Sequence, residues 1–338
     1  MTAPAQPMTA APSPARPVHA PAAVRIPLAA AAEPAAQLAQ LREAARRLEA
    51  AGVTWLVLGD DGQSGFDAVT VAGWLAPATE SIVLVPEAPV THAEPFHLAT
   101  ATATLDHDSR GRAGWAPIAQ TSEAAARLVG RRPAATAGAA WAEVPVVAEA
   151  VTALWHSWEP DAIVRDAATG RFVDRERLHY VRFTGTDSVG EEFTITGPSI
   201  VPRPPQGTLP TLIRVTGPET AEAAAQAADI VVLAEAPGAA GWDAAPAEDR
   251  TVLRALHAQE LDTAGAELSE VLVDVADAAG ALRLAEWLGS AERGGNAPAQ
   301  ASGRAPAQAS GRAPAEAGGS ETELQNGEPR NGEQGTPR

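Results

Sequence analysis

Between residues 24 and 288 the chain alternates short apolar runs with longer stretches whose apolar positions recur every three or four residues. Residues 33–51 (EPAAQLAQLREAARRLEAA) put Leu38, Leu41, Ala45 and Leu48 on one face and Arg and Glu on the other, which predicts an amphipathic helix stopped by Gly52. Residues 55–58 (WLVL) are apolar without alternation, the pattern of a parallel strand covered on both sides. The same reading predicts a helix over 66–76, a strand over 82–85, a helix over 95–106 and a strand over 113–118 that Pro117 keeps short. A long helix is predicted over 141–158, with Pro145 near its start. Alternation then breaks at 168–196, where Phe172, Tyr180, Phe183 and Phe193 are interspersed with Gly and Asp. It resumes with a strand at 211–215, a helix at 218–227, a strand at 230–233, a helix at 248–261, a strand at 271–275 and a helix at 282–288.

Repeated β/α units predict an α/β fold around a parallel sheet. The chain has 338 residues, and the roughly 270 left between its biased ends suit a TIM-type (β/α)8 barrel. Residues 1–24 are Ala/Pro-rich without periodicity, so disorder is expected there, with the barrel domain over 25–293. From 294 to 338 a disordered low-complexity tail is expected: APAQASGR (297–304) repeats at once (305–312) and decays (313–320). Counting a first strand at 24–28 gives about seven strands and no eighth, so the barrel is expected to be incomplete. Its two open edges would need a partner, a homo-oligomer contact or a non-sequential segment to cover them. The break at 168–196 is then an excursion on the C-terminal face of the barrel, where substrate-specific loops sit.

The formal charge of −17 argues against nucleic acid or an anionic membrane as partner. All 25 basic residues are Arg, which removes lysine Schiff bases and the P-loop lysine. The absence of Cys removes thiolate catalysis, disulfides and Cys-ligated metals. No apolar run in the sequence approaches the ~20 residues that span a bilayer, and no secretory signal is evident, so a cytoplasmic location is expected.

Several blocks carry more than a fold. The run 91–115 (THAEPFHLATATATLDHDSRGRAGW) is flanked by WLVLGDD (55–61) and SIVLVP (81–86), and followed by ATGRFVDRERLHYVRFTG (168–185) and ITGPSIVPRPPQG (195–207). Together these resemble the bacterial luciferase-like flavin-dependent monooxygenase family, in its nitrilotriacetate and dibenzothiophene-sulfone monooxygenase branch, in a divergent and C-terminally truncated form. The resemblance covers residues 55–233 and is silent on substrate. It implies a (β/α)8 barrel that uses reduced FMN from a separate flavin reductase, with dioxygen, to oxidise a small organic substrate. A deazaflavin would suit the same fold.

The resemblance also implies site residues. An aspartate near the flavin ring corresponds to Asp60, which directly follows the strand and Gly59; the alternative is that Asp60 and Asp61 merely start a turn. A hydroxyl residue at the flavin's polar edge falls on Val90 or Thr91, and Thr91 alone can donate. His92 and His97 form no metal motif and read as satisfied surface or loop histidines. In LDHDSRGRAGW, Arg112 and Gly114 shape the start of the strand, but the Asn that relatives carry after the Trp is Ala116 here. The His and Tyr that relatives place before the long helix to hold the FMN phosphate are a small residue and Trp141. A second phosphate element corresponds to Thr216 and Gly217, at a helix start. Arg131, Arg132 and Arg214 could add charge or lie on a solvated face. No catalytic residue and no metal site stands out. A non-catalytic relative acting as a binding or partner subunit is the competing reading, supported by the lost Asn, His and Tyr.

Overall fold

The computed structural model describes residues 21–30, 32–60, 62, 65–234, 250–261 and 268–292. In chain order these form β1 (Ala23–Pro27), α1 (Pro34–Ala50), β2 (Trp55–Gly59), α2 (Ala68–Leu75), β3 (Val83–Pro89), α3 (Pro95–Ser109), β4 (Ala116–Ile118), α4 (Glu123–Val129) and α5 (Ala137–Trp155). After them come β5 (Ile163–Asp166), β6 (Arg171–Val173), β7 (Arg182–Thr186), β8 (Glu192–Thr196), β9 (Leu212–Val215), α6 (Pro218–Ala227), β10 (Ile230–Leu233), β11 (Thr251–His257), β12 (Val271–Asp274) and α7 (Ala278–Glu292).

Eight strands form one parallel sheet in the order β4-β3-β2-β1-β12-β11-β10-β9. It curls until β4 meets β9 through a single parallel bridge, Trp115 to Thr211. The TIM-type barrel is therefore nearly closed. Its thin point is this seam, and the open edges expected after a seventh strand are absent: β12 pairs β1, with Ala23 opposite Leu272. The missing strand is supplied by β11, within the segment 248–261 that the pattern predicts as a helix; pairing with β10 and β12 makes it a strand. Of the segment 1–24 expected to be disordered, residues 1–20 lie outside the described residues while Ala23 and Val24 are part of β1; the expected tail 294–338 lies outside them.

Side chains alternate between two cores, as strand geometry requires. Val24, Ile26, Leu56, Leu58 and Leu84 point outward into the helix layer, with Leu41 and Leu48 of α1. Val57, Val85, Ala116, Leu212, Val232, Ala255 and Leu272 fill the lumen. Outside the ring α1 packs on α7, α2 on α3, and α5 on both α3 and α6. Helix α5 is long and apolar enough to cross a membrane by length and composition, which the sequence reading overlooked. Here it is a core helix with Val144, Val147, Val151 and Leu154 buried.

The expected excursion is present as two antiparallel hairpins, β5–β6 and β7–β8. Helix α4 was not anticipated; Ser122 caps it by accepting from the Ala125 amide at 3.1 Å. The LDHDSRGRAGW motif does what its shape implies. Arg112 donates to the carbonyls of Ala76, Thr79 and Ile82 and to Thr79 Oγ1, fixing the turn that starts β3. A Cβ at Gly114 would lie 3.2 Å from both Pro210 O and Val85 Cγ2, so any side chain beside the seam would require its neighbours to give by a few tenths of an ångström. Asp106, buried, accepts from the backbone and side chain of Gln206 at 3.0 and 2.6 Å, tying the end of α3 to the 195–207 motif.

Candidate active site at the barrel mouth

Barrel enzymes work at the C-terminal ends of their strands, and here the lumen changes character at that level. Above the apolar layer, Arg25 of β1, Glu87 of β3, Arg214 of β9 and Asp274 of β12 meet across the ring. Arg25 donates to both oxygens of Glu87 at 2.5 and 2.8 Å and lies 3.8 Å from Asp274. Arg214 donates to both oxygens of Asp274 at 2.8 and 2.7 Å. Burial alone would lower the Arg25 pKa, but hydrogen bonding and charge from Glu87, with Asp274 behind, raise it above the ordinary guanidinium value. Gly59 makes room for this layer: a Cβ there would sit 2.7 Å from the Arg25 guanidinium and 3.1 Å from the Pro27 backbone.

Such a layer is not a cheap way to fill a barrel, because two desolvated ion pairs rarely outperform packed aliphatic side chains. It went unseen in the sequence because each member is an isolated charge in an apolar run. Only ring closure brings positions 25, 87, 214 and 274 together. Arg214 therefore faces the lumen, not a solvated surface.

The expected site residues fall into two groups, one following β2 and β3 and one at the starts of α5 and α6. Asp60 is buried at the end of β2; its backbone amide donates to Glu87 Oε2 at 3.0 Å. Its carboxylate accepts from the amides of Gly62 and Ala68 at 2.6 and 2.9 Å, so it organises the turn into α2. It also lines a cavity of about 720 Å3 between α2, α3 and α4, whose wall includes Phe66, Leu98 and Gln120. Thr91 is 0% exposed, and its hydroxyl oxygen accepts from the Gln120 amide at 2.8 Å.

Trp141 is half-buried in the first turns of α5, and Thr216 and Gly217 form the start of α6. These are neighbouring places, since a Cβ on Gly138 would lie 3.9 Å from Glu219 Cγ. The backbone amides of Thr216 and Gly217 already donate to Thr220 Oγ1, at 2.8 and 3.0 Å, and Pro218 has none. An exposed carboxylate, Glu219, stands in the first turn. Asp60, Thr91, Thr216 and Gly217 thus follow the C-terminal ends of β2, β3 and β9, at one end of the parallel barrel, with Trp141 near the start of α5.

The other aromatic and histidine side chains sort cleanly. Trp155 is buried, donates to Ala99 O at 3.1 Å and meets Trp115 edge-on at 5.9 Å, which is core packing. Trp158 donates to Ser199 O at 2.8 Å. Tyr180 and His97 are exposed. His92 departs from expectation: it is buried, and neither ring nitrogen has a partner among the described residues.

A parallel barrel with a polar mouth defines a class of small-molecule and cofactor enzymes, not a reaction. Comparison with known proteins supplies the family: the model of the luciferase-like monooxygenases matches residues 18–334, and the chain belongs to that family. It is 34% identical to the N-acetyl-S-(2-succino)cysteine monooxygenase of Bacillus subtilis over 50% of this chain and 37% of that enzyme. It is 36% identical to the dibenzothiophene-sulfone monooxygenase of Rhodococcus erythropolis over 46% of this chain and 33% of that enzyme. The chain thus spans about a third of the length of these relatives. Among solved structures a riboflavin lyase crystallised with modified FMN and riboflavin shares the fold, with a TM-score of 0.60 at 21% identity over 70% of this chain and 61% of that one.

Proposed function

We propose that this protein is a flavin-dependent monooxygenase that takes reduced FMN from a separate flavin reductase and oxidises a small organic substrate with dioxygen. The observation that carries the reading is the charged layer under the mouth. A reduced flavin is electron-rich along its pyrimidine edge, and the protein's part in such chemistry is to orient the ring and tune its charge. Arg25 and Arg214, held by Glu87 and Asp274 in a layer with no net charge, would offer oriented guanidinium N–H donors there, and buried Thr91 would brace the neighbouring strand end. Asp60 positions the turn that would border the ring. Bound reduced flavin supplies two electrons, so that one oxygen atom enters the substrate and the other leaves as water.

At the phosphate end the fit is weaker. Trp141 Nε1 and the exposed Thr216 hydroxyl are the donors left, because Thr220 occupies the amides of Thr216 and Gly217. This occupancy favours a second reading, a luciferase-like partner subunit that no longer turns over.

Titration of the purified protein with FMN, reduced FMN and riboflavin separates the two. Reduced FMN should bind, and FMN and riboflavin should bind with similar affinity, because a missing charge-assisted bond to the phosphate costs about ten- to hundredfold. Failure to bind flavin in either redox state would leave only the non-catalytic reading. A strong preference for FMN over riboflavin would show that Thr216, Gly217 or the arginines form a competent phosphate site.

A further inference from the structure

A second cavity, of about 420 Å3, lies between the loop after β3, the first turns of α5 and the β7–β8 hairpin. His92 forms part of its wall, is 3% exposed, and has no partner for Nδ1 or Nε2 among the described residues. A buried neutral imidazole presents one N–H donor and one acceptor, and leaving both unmet is costly. Burial, and then the charge of Arg132, hold its pKa below the ordinary imidazole value, so the ring keeps an acceptor lone pair.

The rest of the wall is built and held. Arg132 spans Glu143 at 2.6 Å and Asp187 at 2.7 Å, and the Ser188 amide donates to Glu143 Oε2 at 3.1 Å, so the hairpin is clamped to α5. Arg131 pairs with Glu94. Glu191 also lines the cavity, with no cation within 4.0 Å among the described residues. Four carboxylates thus face two guanidiniums. Glu94, Glu143 and Asp187 are taken up by the two guanidiniums, so the Glu191 end of the cavity is where a cation is favoured and a carboxylate ligand repelled. Pro95, Phe193 and Ile195 supply an apolar wall.

The geometry points to this cavity as the substrate pocket, holding a small molecule whose protonated amine pairs with Glu191 and whose apolar part lies on Phe193 and Ile195. A hydroxyl or carbonyl oxygen on the same molecule satisfies the imidazole N–H. The role as substrate rests on the flavin-dependent reading above; the selection of an amine rests on the cavity alone.

A matched pair of probes tests it: phenylalaninol, an amine with a neighbouring hydroxyl, and phenyllactate, which carries a carboxylate in place of the amine. Each is titrated into flavin-free protein while the histidine ring resonances are followed by NMR. Phenylalaninol should shift the His92 signals and bind at least about tenfold more tightly than phenyllactate. His92→Phe should weaken it by about tenfold, and His92→Gln, which keeps a donor and an acceptor, should restore much of the loss. Equal or tighter binding of phenyllactate, or no response of the wild-type His92 ring to phenylalaninol, overturns the inference. A flavin titration on the same sample keeps the two readings apart. Flavin binding without amine binding sinks the pocket alone, and amine binding without flavin binding removes its role as a substrate site.

Discussion

Asp274 accepts both Arg214 bonds and sits 3.8 Å from Arg25, so it is the joint on which the charged layer turns. Replacing it alone, Asp274→Leu, leaves the Arg214 guanidinium unpaired in a lumen that water reaches only partly. The side chain of Arg214 is 29% exposed, so the loss should be about 1–3 kcal/mol, below the figure for a fully buried pair. The double change Arg214→Leu with Asp274→Leu should recover most of that stability, since an apolar pair of similar volume suits a barrel layer. On the flavin-dependent reading, reduced-FMN affinity should nevertheless fall by about tenfold, because the Arg214 guanidinium donors have gone although the net charge of the layer is unchanged. Urea melts and flavin titrations on both variants check this. A double variant that binds reduced FMN like the wild type would make the layer purely structural.

At the level of elements, β11 is the instructive one. In TVLRALHAQEL (251–261) the spacing of Leu253, Leu256 and Leu261 fits a helical face as well as a strand, and Gly and Pro do not punctuate it. What decides is tertiary: parallel partners on both sides, Leu253 opposite Val232 and Leu256 opposite Val273. The other seven strands were legible because apolar runs of that length between helix stops have few alternatives. That Asp60 and Thr91 follow the ends of two strands was legible from those runs, whereas a flavin-binding role for them came from the family resemblance alone. His92 was not legible, since the hairpin that covers it, around Asp187 and Ile195, comes a hundred positions later in the chain. Ala255 tests the strand directly, because it faces the filled lumen. Ala255→Leu should overpack that layer and cost about 1–3 kcal/mol in a urea melt. On a surface helix the same change would be nearly neutral, so an unchanged midpoint would contradict the strand.

For the whole molecule, the ring's stability rests on its thinnest join. Between β4 and β9 the backbone contributes Trp115 N to Pro210 O at 3.0 Å and Leu212 N to Trp115 O at 2.9 Å. The side chains add Trp115 Nε1 to Thr211 Oγ1, also at 3.0 Å. Trp115 is fully buried and packs edge-on against Trp155 of α5, so the seam is riveted from the helix side. Thr211→Val keeps the shape and removes the acceptor, leaving a buried indole N–H unmet at a cost of about 1–3 kcal/mol. If the barrel unfolds as a unit, the urea midpoint should fall with an unchanged slope, since the surface exposed on unfolding is the same. On the flavin-dependent reading, reduced-FMN binding should weaken in the same variant, because Thr216 follows β9 and Trp141 lies in the connection from β4 to β9, so the seam would set the spacing of the proposed phosphate end. A lower slope with an early partial transition would instead mean that the ring opens at the seam before it melts. An unchanged midpoint would show that Trp115 holds the seam by its packing alone.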